Sequence, residues 1–265
     1  MDMAFLKKFF RWQQKLSAAF DKTFLDPSYT TYGTTDFHTS LIPHYIQSNS
    51  LVYDIGGGKC PHIFPALKAE RHIRTVGVDI DSRELSLAPA GGYDRILCVD
   101  ITTARGESDG DFIISRSVLE HVKDTRAALT NMATFLKPGG RIIAYAPCRN
   151  AWFARLNMLL PEGLKRKLID YFYADAGLAK VMGFKAYYNR CTPREIESIA
   201  REAGLAVVER RLYYMSNYFG FFTPLHIVWR FYQILVRLIG TRQYCEGFAY
   251  VLERPAAPAS GKASA

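Results

Sequence analysis

Short apolar runs of strand length recur along the middle of the chain, and amphipathic stretches of helical period separate them. Leu51–Ile55 is the first run, and glycines follow it at once. Arg74–Asp79, Arg95–Asp100, Asp111–Ser115 and Arg141–Ala146 read as strands two to five. Helices are predicted over Phe37–Gln47, from Pro61 to about Glu70, and from Thr125 to about Leu136, where Lys137-Pro-Gly-Gly140 breaks the pattern. Pro61 suits a first helical turn. Strands alternating with helices predict a mostly parallel sheet with helices on both faces. The rhythm resumes at Thr192, which reads as a helix cap with Pro193 at the first position and Glu195 at the capping-box position. Leu205–Leu212 and Glu246–Arg254 complete the strand set.

Three regions depart from that rhythm. Residues 1–26 read as a basic amphipathic helix, with Phe5, Phe9, Trp12, Leu16, Ala19 and Phe20 on one stripe and Lys8, Arg11, Lys15 and Lys22 on a second. Such a helix either docks on the domain's own surface or lies on an anionic membrane face. Residues 150–190 hold helical stretches rich in aromatic and basic residues, among them Trp152, Lys165, Arg166, Tyr171, Tyr187 and Tyr188. Placed after a strand's carboxyl end, they form a cap able to roof a crevice. Residues 213–244 form a long insertion between the last two strands. Within 225–239, His226, Arg230, Gln233 and Arg237 make one narrow polar stripe on an otherwise apolar helix. Packed on the core, that stripe faces solvent or the cleft. A shallow interfacial helix favours membrane contact instead. Residues 255–265 are a disordered Ala/Pro/Ser tail. Domain organisation is therefore an N-terminal helix (1–26), one enlarged domain (27–254) with two insertions, and the tail.

Composition changes the picture in two ways. The chain has 265 residues, 49% hydrophobic, enough for a proper core in one enlarged domain. Its net charge of +9 points to anionic surroundings: nucleic acid, acidic lipid or an acidic substrate. The five cysteines are scattered, without metal-ligand spacing, and fit a reducing compartment. No secretory signal is expected, because charge interrupts the N-terminal apolar stretch. No apolar run approaches the ~20 residues a bilayer span takes. A cytoplasmic protein, peripheral on the inner membrane face, is the expectation.

The chemistry sits at strand ends. Asp54, Asp79 and Asp100 close three successive strands, where open α/β sheets place their binding crevice. Carboxylates there accept hydrogen bonds from a ribose diol, a cationic amino group or an adenine amine. The turn lacks the Gly-Lys-Ser/Thr of a polyphosphate loop. A dinucleotide fingerprint needs a small residue where Pro61 stands.

Asp54-x-Gly56-x-Gly58, Val76-Gly-Val-Asp79, Val99-Asp100, Asp111-Phe-Ile-Ile-Ser-Arg-Ser-Val-Leu-Glu-His121 and Leu136-Lys-Pro-Gly-Gly140 resemble the class I S-adenosylmethionine-dependent methyltransferases. The resemblance is close over 50–148 and topological over 190–254. It implies a Rossmann-like sheet of seven strands, the last antiparallel, and S-adenosylmethionine as cofactor. It also implies site roles. The turn at Gly56, Gly57 and Gly58 approaches the methionine moiety. Asp54 lies near the amino group, directly or through water or backbone. Asp79 binds the ribose hydroxyls, Asp100 holds the adenine amine between Ile80 and Ile101, and Ser115 and Arg116 line the cleft beside the sulfonium. The family's third glycine is Cys60 here. No general base stands out; His121 is the candidate, and Glu120-His121 otherwise reads as structural. Residues 141–188 and 213–253 resemble methyltransferases of bacterial surface-polysaccharide or lipid-linked sugar pathways. The expected acceptor is a small molecule, glycan or lipid-linked glycan, methylated on oxygen at a membrane surface. A quinone or RNA acceptor is the alternative, RNA being disfavoured for want of a binding module. A non-catalytic scaffold or partner subunit is the other.

Overall fold

The computed structural model describes residues 3–29, 31–161, 163–164 and 185–256. Seven strands form one sheet: β1 (Leu51–Ile55), β2 (Arg74–Asp79), β3 (Arg95–Cys98), β4 (Gly110–Arg116), β5 (Leu136–Pro147), β6 (Ala206–Tyr213) and β7 (Gly247–Glu253). Their order is β3-β2-β1-β4-β5-β7-β6. β1 to β5 pair in parallel, and β7 runs antiparallel between β5 and β6. The order reverses between β1 and β4, so a crevice opens at their carboxyl ends. The mostly parallel sheet expected from the strand pattern is observed, and so is the Rossmann-like seven-stranded form, its last strand antiparallel, that the resemblance implies.

Alternation along the central strands decides which face each side chain joins. Tyr53, Ile113, Ile142 and Tyr250 pack on one face against Leu129, Met132 and Phe135 of α6 (Thr125–Phe135) and Ile196 and Ile199 of α8 (Pro193–Glu202). Val52, Phe112, Ile114, Ile143 and Val251 pack on the other against Phe37, Leu41, Ile42, Ile46, Ile63 and Ile73. The cap of α8 forms as the sequence predicts: Thr192 Oγ1 accepts the Glu195 N–H, and the Glu195 carboxylate accepts the Thr192 hydroxyl at 2.6 Å.

Some boundaries differ. The helix expected from Phe37 starts earlier, at α2 (Gly33–Asp36), and continues through a π turn (Phe37–Leu41) into α3 (Ile42–Tyr45). The helix expected at Pro61 begins instead at Pro65, as α4 (Pro65–Glu70). Residues 57–64 fold around the Asp54 carboxylate, and Phe64 is extended, as the residue before a proline prefers. Cys98 is exposed, because β3 is an edge strand with exposed side chains. Asp81 caps the short α5 (Ser82–Ser86) by accepting the Arg83 N–H.

Of the cap expected over 150–190, α7 (Trp152–Leu159) is present, while the basic and aromatic residues at 165–173 lie outside the described residues. Residues 257–265 of the expected tail also lie outside them.

The insertion between β6 and β7 carries α9 (Thr223–Ile239), which packs against α1 (Met3–Phe24). Here the sequence expectation is reversed. His226, Arg230 and Gln233 are 0%, 1% and 1% exposed, whereas Val228, Phe231, Leu235 and Leu238 are more than half exposed. These three residues of the polar stripe do not meet solvent or lipid, because Asp21 of α1 stands opposite His226 and Arg230; Arg237, the fourth, is half-buried over the Tyr29 ring. Asp21 accepts hydrogen bonds from both His226 and Arg230, at 2.8 Å from His226 Nε2 and 2.6 Å from Arg230 Nη2. A buried guanidinium needs such a partner. His226, which read as a surface residue, is thus in the interior. Among the described residues no helix is long and apolar enough to cross a membrane.

Candidate active site

The crevice is a cavity of 380 Å3 at the carboxyl ends of β1 to β4. Ile55 and Gly56 come from β1 and its turn, Asp79 and Ile80 from the end of β2, and Val99 to Thr102 from the segment after β3. Ser117, Val118, His121, Val122 and Lys123 follow β4, and Lys185 and Tyr187 form the roof. Of the sequence-predicted residues, Gly56, Asp79, Ile80, Asp100, Ile101 and His121 are brought together here. Asp54, Gly57, Gly58, Ser115 and Arg116 are not part of the lining.

Each placement has a local cause. Gly56 has φ +75°, and a Cβ there would fall 2.1 Å from Val118 Cγ2, so only glycine lets the β1 turn close on the β4 turn. A Cβ on Gly57 would fall 2.7 Å from Asp54 Oδ1 and 2.3 Å from the Tyr93 hydroxyl. Asp54 is 1% exposed, and its carboxylate turns back under this loop. Its Oδ2 accepts the His62 backbone N–H at 2.7 Å, and its Oδ1 lies 2.6 Å from His62 Nδ1. Asp54 therefore shapes the turn from below, eight residues from a histidine that no sequence period singles out. Cys60 is exposed and stands outside the cavity.

Asp79 and Asp100 stay on the cleft. Asp79 Oδ1 accepts the Asp81 N–H at 3.0 Å; burial raises the carboxyl above its usual value, against the Asp81 and Ile80 backbone bonds. Asp100 Oδ1 accepts the Thr102 N–H and hydroxyl at 2.8 and 2.7 Å, which fixes its rotamer at the strand end. Ile80 is 61% exposed at the cleft, opposite the buried Ile101. An exposed isoleucine between two strand-end acids is a wall for a flat apolar group.

Beyond β4 the sequence reading is displaced by two residues. Ser115 is 1% exposed, and Arg116 donates to His38 Nε2 at 2.8 Å. Burial first, then the Arg116 charge, pushes His38 down to about 4, so it is neutral and accepts that bond. His38 stacks on His62, its ring centre 5.6 Å away, which joins Arg116, His38, His62 and Asp54 in one layer behind the turn. Ser117 and Val118 take the cleft positions instead. His121 Nδ1 contacts the Lys185 carbonyl at 3.1 Å and therefore donates there. Burial lowers its pKa. Glu120 beside it is buried, and burial pushes it up to about 8. The backbone carbonyl of Glu120 accepts the N–H groups of Tyr187 and Tyr188, which fastens the roof to the β4 turn. The tyrosine pair divides: Tyr187 faces the cleft and Tyr188 joins the core. Lys123 and Lys185 flank the Tyr187 ring at 6.0 and 5.3 Å. The sequence reading missed this cationic rim, for which the only signal was a lysine two residues past Glu120-His121.

A family profile described as a methyltransferase domain matches residues 35–210, more than half of the chain. The chain belongs to that family. The chain is 37% identical over 93 residues to an uncharacterised methyltransferase of Mycobacterium sp. (strain JLS), covering 34% of this chain and 35% of that protein. It is 26% identical over 162 residues to a ubiquinone biosynthesis O-methyltransferase of Cereibacter sphaeroides (strain KD131), covering 59% of each. The chain thus aligns with less than two thirds of the length of either relative. Among solved structures, it superposes on a SAM-dependent methyltransferase from Methanosarcina mazei with a TM-score of 0.51 at 16% identity, covering 82% of this chain and 98% of that one. It also superposes on phosphoethanolamine N-methyltransferase 2 of Haemonchus contortus in complex with S-adenosyl-L-methionine, TM-score 0.53 at 14% identity, covering 92% and 56%. The cleft is suited to S-adenosylmethionine: a glycine turn close to the crevice, two carboxylates on its wall able to accept from hydroxyl or amine donors, and apolar side chains between them.

Proposed function

We propose that this methyltransferase acts on an oxygen of a small-molecule acceptor of the glycan or lipid-linked class, taken up at the inner face of a membrane. The observation that carries the cofactor half of this reading is the pair of cleft-facing carboxylates, Asp79 and Asp100, set around Ile80 and Ile101. In it, Asp79 accepts the ribose hydroxyls, Asp100 accepts the adenine amine, and the isoleucines sandwich the ring. The Gly56–Gly58 backbone lies along the methionine moiety, and Asp54, locked to His62, holds that backbone in place. The cofactor supplies an electrophilic methyl group. The protein's task is to align the acceptor with it and keep water out. His121 is hydrogen-bonded through Nδ1 to the roof, which leaves Nε2, 3.8 Å from the Glu120 carboxylate, as the basic atom in reach of an acceptor hydroxyl.

Residues 27–254 act in this reading as one domain, with insertions over 150–190 and 213–244 at its cleft end and the 1–26 helix attached. Lys123 and Lys185 give the mouth a positive rim that suits an acceptor carrying negative charge. The similarity to a ubiquinone biosynthesis O-methyltransferase favours oxygen as the acceptor atom and makes a quinone the second reading.

Isothermal titration with S-adenosylmethionine tests the site. Wild type is expected to bind, and Asp79→Ala to weaken binding by about 10–100-fold, the loss of charge-assisted hydrogen bonds to a diol. Equal affinities would remove Asp79 from the site.

A further inference from the structure

Helices α1 and α9 are built inside out. In a helix on a water-soluble domain, the apolar stripe faces the core and the polar stripe faces water. Here the two helices meet through polar side chains. Gln13 and Ser17 of α1 are 7% and 2% exposed, and both bond Thr223 at the start of α9. One and two turns further on, Asp21 takes up His226 and Arg230. Arg230 continues inward to the Ser216 carbonyl and Gln233 Oε1, each at 2.7 Å, and to the Tyr32 hydroxyl at 2.9 Å. Trp229 and Val236 of α9 are buried with this network, but most of the apolar residues of α9 are left outside. On α9, Val228, Phe231, Leu235, Leu238 and Ile239 are 56–70% exposed. On α1, Phe5 and Trp12 are 61% and 54% exposed.

This surface sits at the catalytic end of the sheet. The last residue of β6, Tyr213, pairs with Gly247 of β7, which also pairs with Pro147, the last residue of β5. The β6–β7 insertion therefore leaves the sheet at the same carboxyl edge where β1 and β4 open the cofactor cleft.

We propose that the outer face of the α1–α9 pair docks in the interface of an anionic lipid bilayer, so that the cleft end of the enzyme meets the membrane. The charge pattern selects this occupant. Exposed Lys8, Lys15 and Lys22 recur every seven residues along α1, beside its exposed aromatics. Aromatic and aliphatic side chains enter the acyl boundary while lysine heads remain at the phosphate level. A two-fold pairing with a second copy would bring like charges of α1 together in a low-dielectric seam. The inward polar network matches this setting, because hydrogen bonds between helices persist where the surroundings are apolar. The inference deepens the proposed acceptor class: a lipid-linked acceptor reaches the cleft from the surface that this face grips.

Flotation of the full-length enzyme with vesicles tests it. The enzyme is expected to float with phosphatidylcholine vesicles containing phosphatidylglycerol and to bind pure phosphatidylcholine at least about tenfold more weakly. Phe231→Glu with Leu235→Glu, and separately Lys8→Glu with Lys15→Glu, are each expected to lower binding at least about tenfold, with the Kd for S-adenosylmethionine unchanged. Unaltered cofactor affinity shows that the variants fold. A wild type that binds cofactor but no vesicle overturns the docking surface and leaves the methyltransferase reading standing. The same holds if sedimentation shows a dimer that the α9 variant splits. Vesicle binding without methylation of any lipid-linked acceptor overturns the acceptor class and leaves the surface.

Discussion

In the proposed function two acids and one histidine of the cleft carry the chemistry, Asp79, Asp100 and His121, and the role proposed for each follows from where its side chain is held. His121 keeps its Nδ1 on the Lys185 carbonyl, so its basic atom is Nε2, and burial lowers its pKa below the usual 6.5. The rate of methyl transfer is then expected to rise with pH as the imidazolium loses its proton, with the midpoint below 6.5, and to stay level above it. His121→Gln is expected to lower kcat by about 10²-fold or more, to remove that rise, and to leave the affinity for S-adenosylmethionine in place. A variant with wild-type kcat and an unchanged profile would make His121 a fastener of the roof and nothing more. The acids were legible in the sequence because a carboxylate at the end of an apolar run has one plausible location in an open α/β sheet. The partners behind them were not. His62 meets Asp54 across an irregular loop, and Arg116 meets His38 from another element, so neither pair leaves a periodic trace. Ser115 and Arg116 were placed on the cleft by the resemblance, at the end of a strand expected over Asp111–Ser115; β4 runs through Arg116, and the cleft begins at Ser117.

At the scale of elements, the hydrophobic pattern identified every strand and most helices, yet it gave the wrong orientation for α9. A 3.6-residue period locates a stripe on a helix and says nothing of which stripe turns inward. That was decided by Asp21, about 200 residues away in sequence. Asp21 is held below its usual 3.8: burial works to raise it, and the bonds and charges of Arg230 and His226 outweigh burial. Burial lowers His226 below 6.5, with Asp21 opposing. Both folded values lie below the unfolded ones, so both contributions to stability are complete above the unfolded values. Stability is expected to decline as pH falls below about 6.5, where the unfolded chain gains the His226 proton, and again below 3.8 as Asp21 titrates. Asp21→Ala leaves Arg230 buried without its carboxylate and is expected to cost about 3 kcal/mol in urea unfolding at neutral pH, with the decline below 3.8 diminished. Unchanged stability would mean that α1 is held by its apolar contacts alone.

At the scale of the whole molecule, the two halves of the cleft end of the sheet divide the work. The β1–β4 half presents the glycine turn and the acids. The β5–β7–β6 half carries the insertion whose outer face is apolar beside a row of lysines. The net charge of +9 pointed to an anionic surrounding without choosing one; the inverted helix pair favours lipid over nucleic acid. Methyl transfer to a lipid-linked acceptor is tested by incubating the protein with a membrane-containing extract and S-adenosylmethionine labelled in its methyl group. The products are then separated into lipid-extractable, free-glycan and RNA pools. The account predicts enzyme-dependent label in the lipid-extractable pool, with mild acid releasing it in the glycan moiety. Label confined to RNA, or no transfer by an enzyme that binds the cofactor, would contradict it.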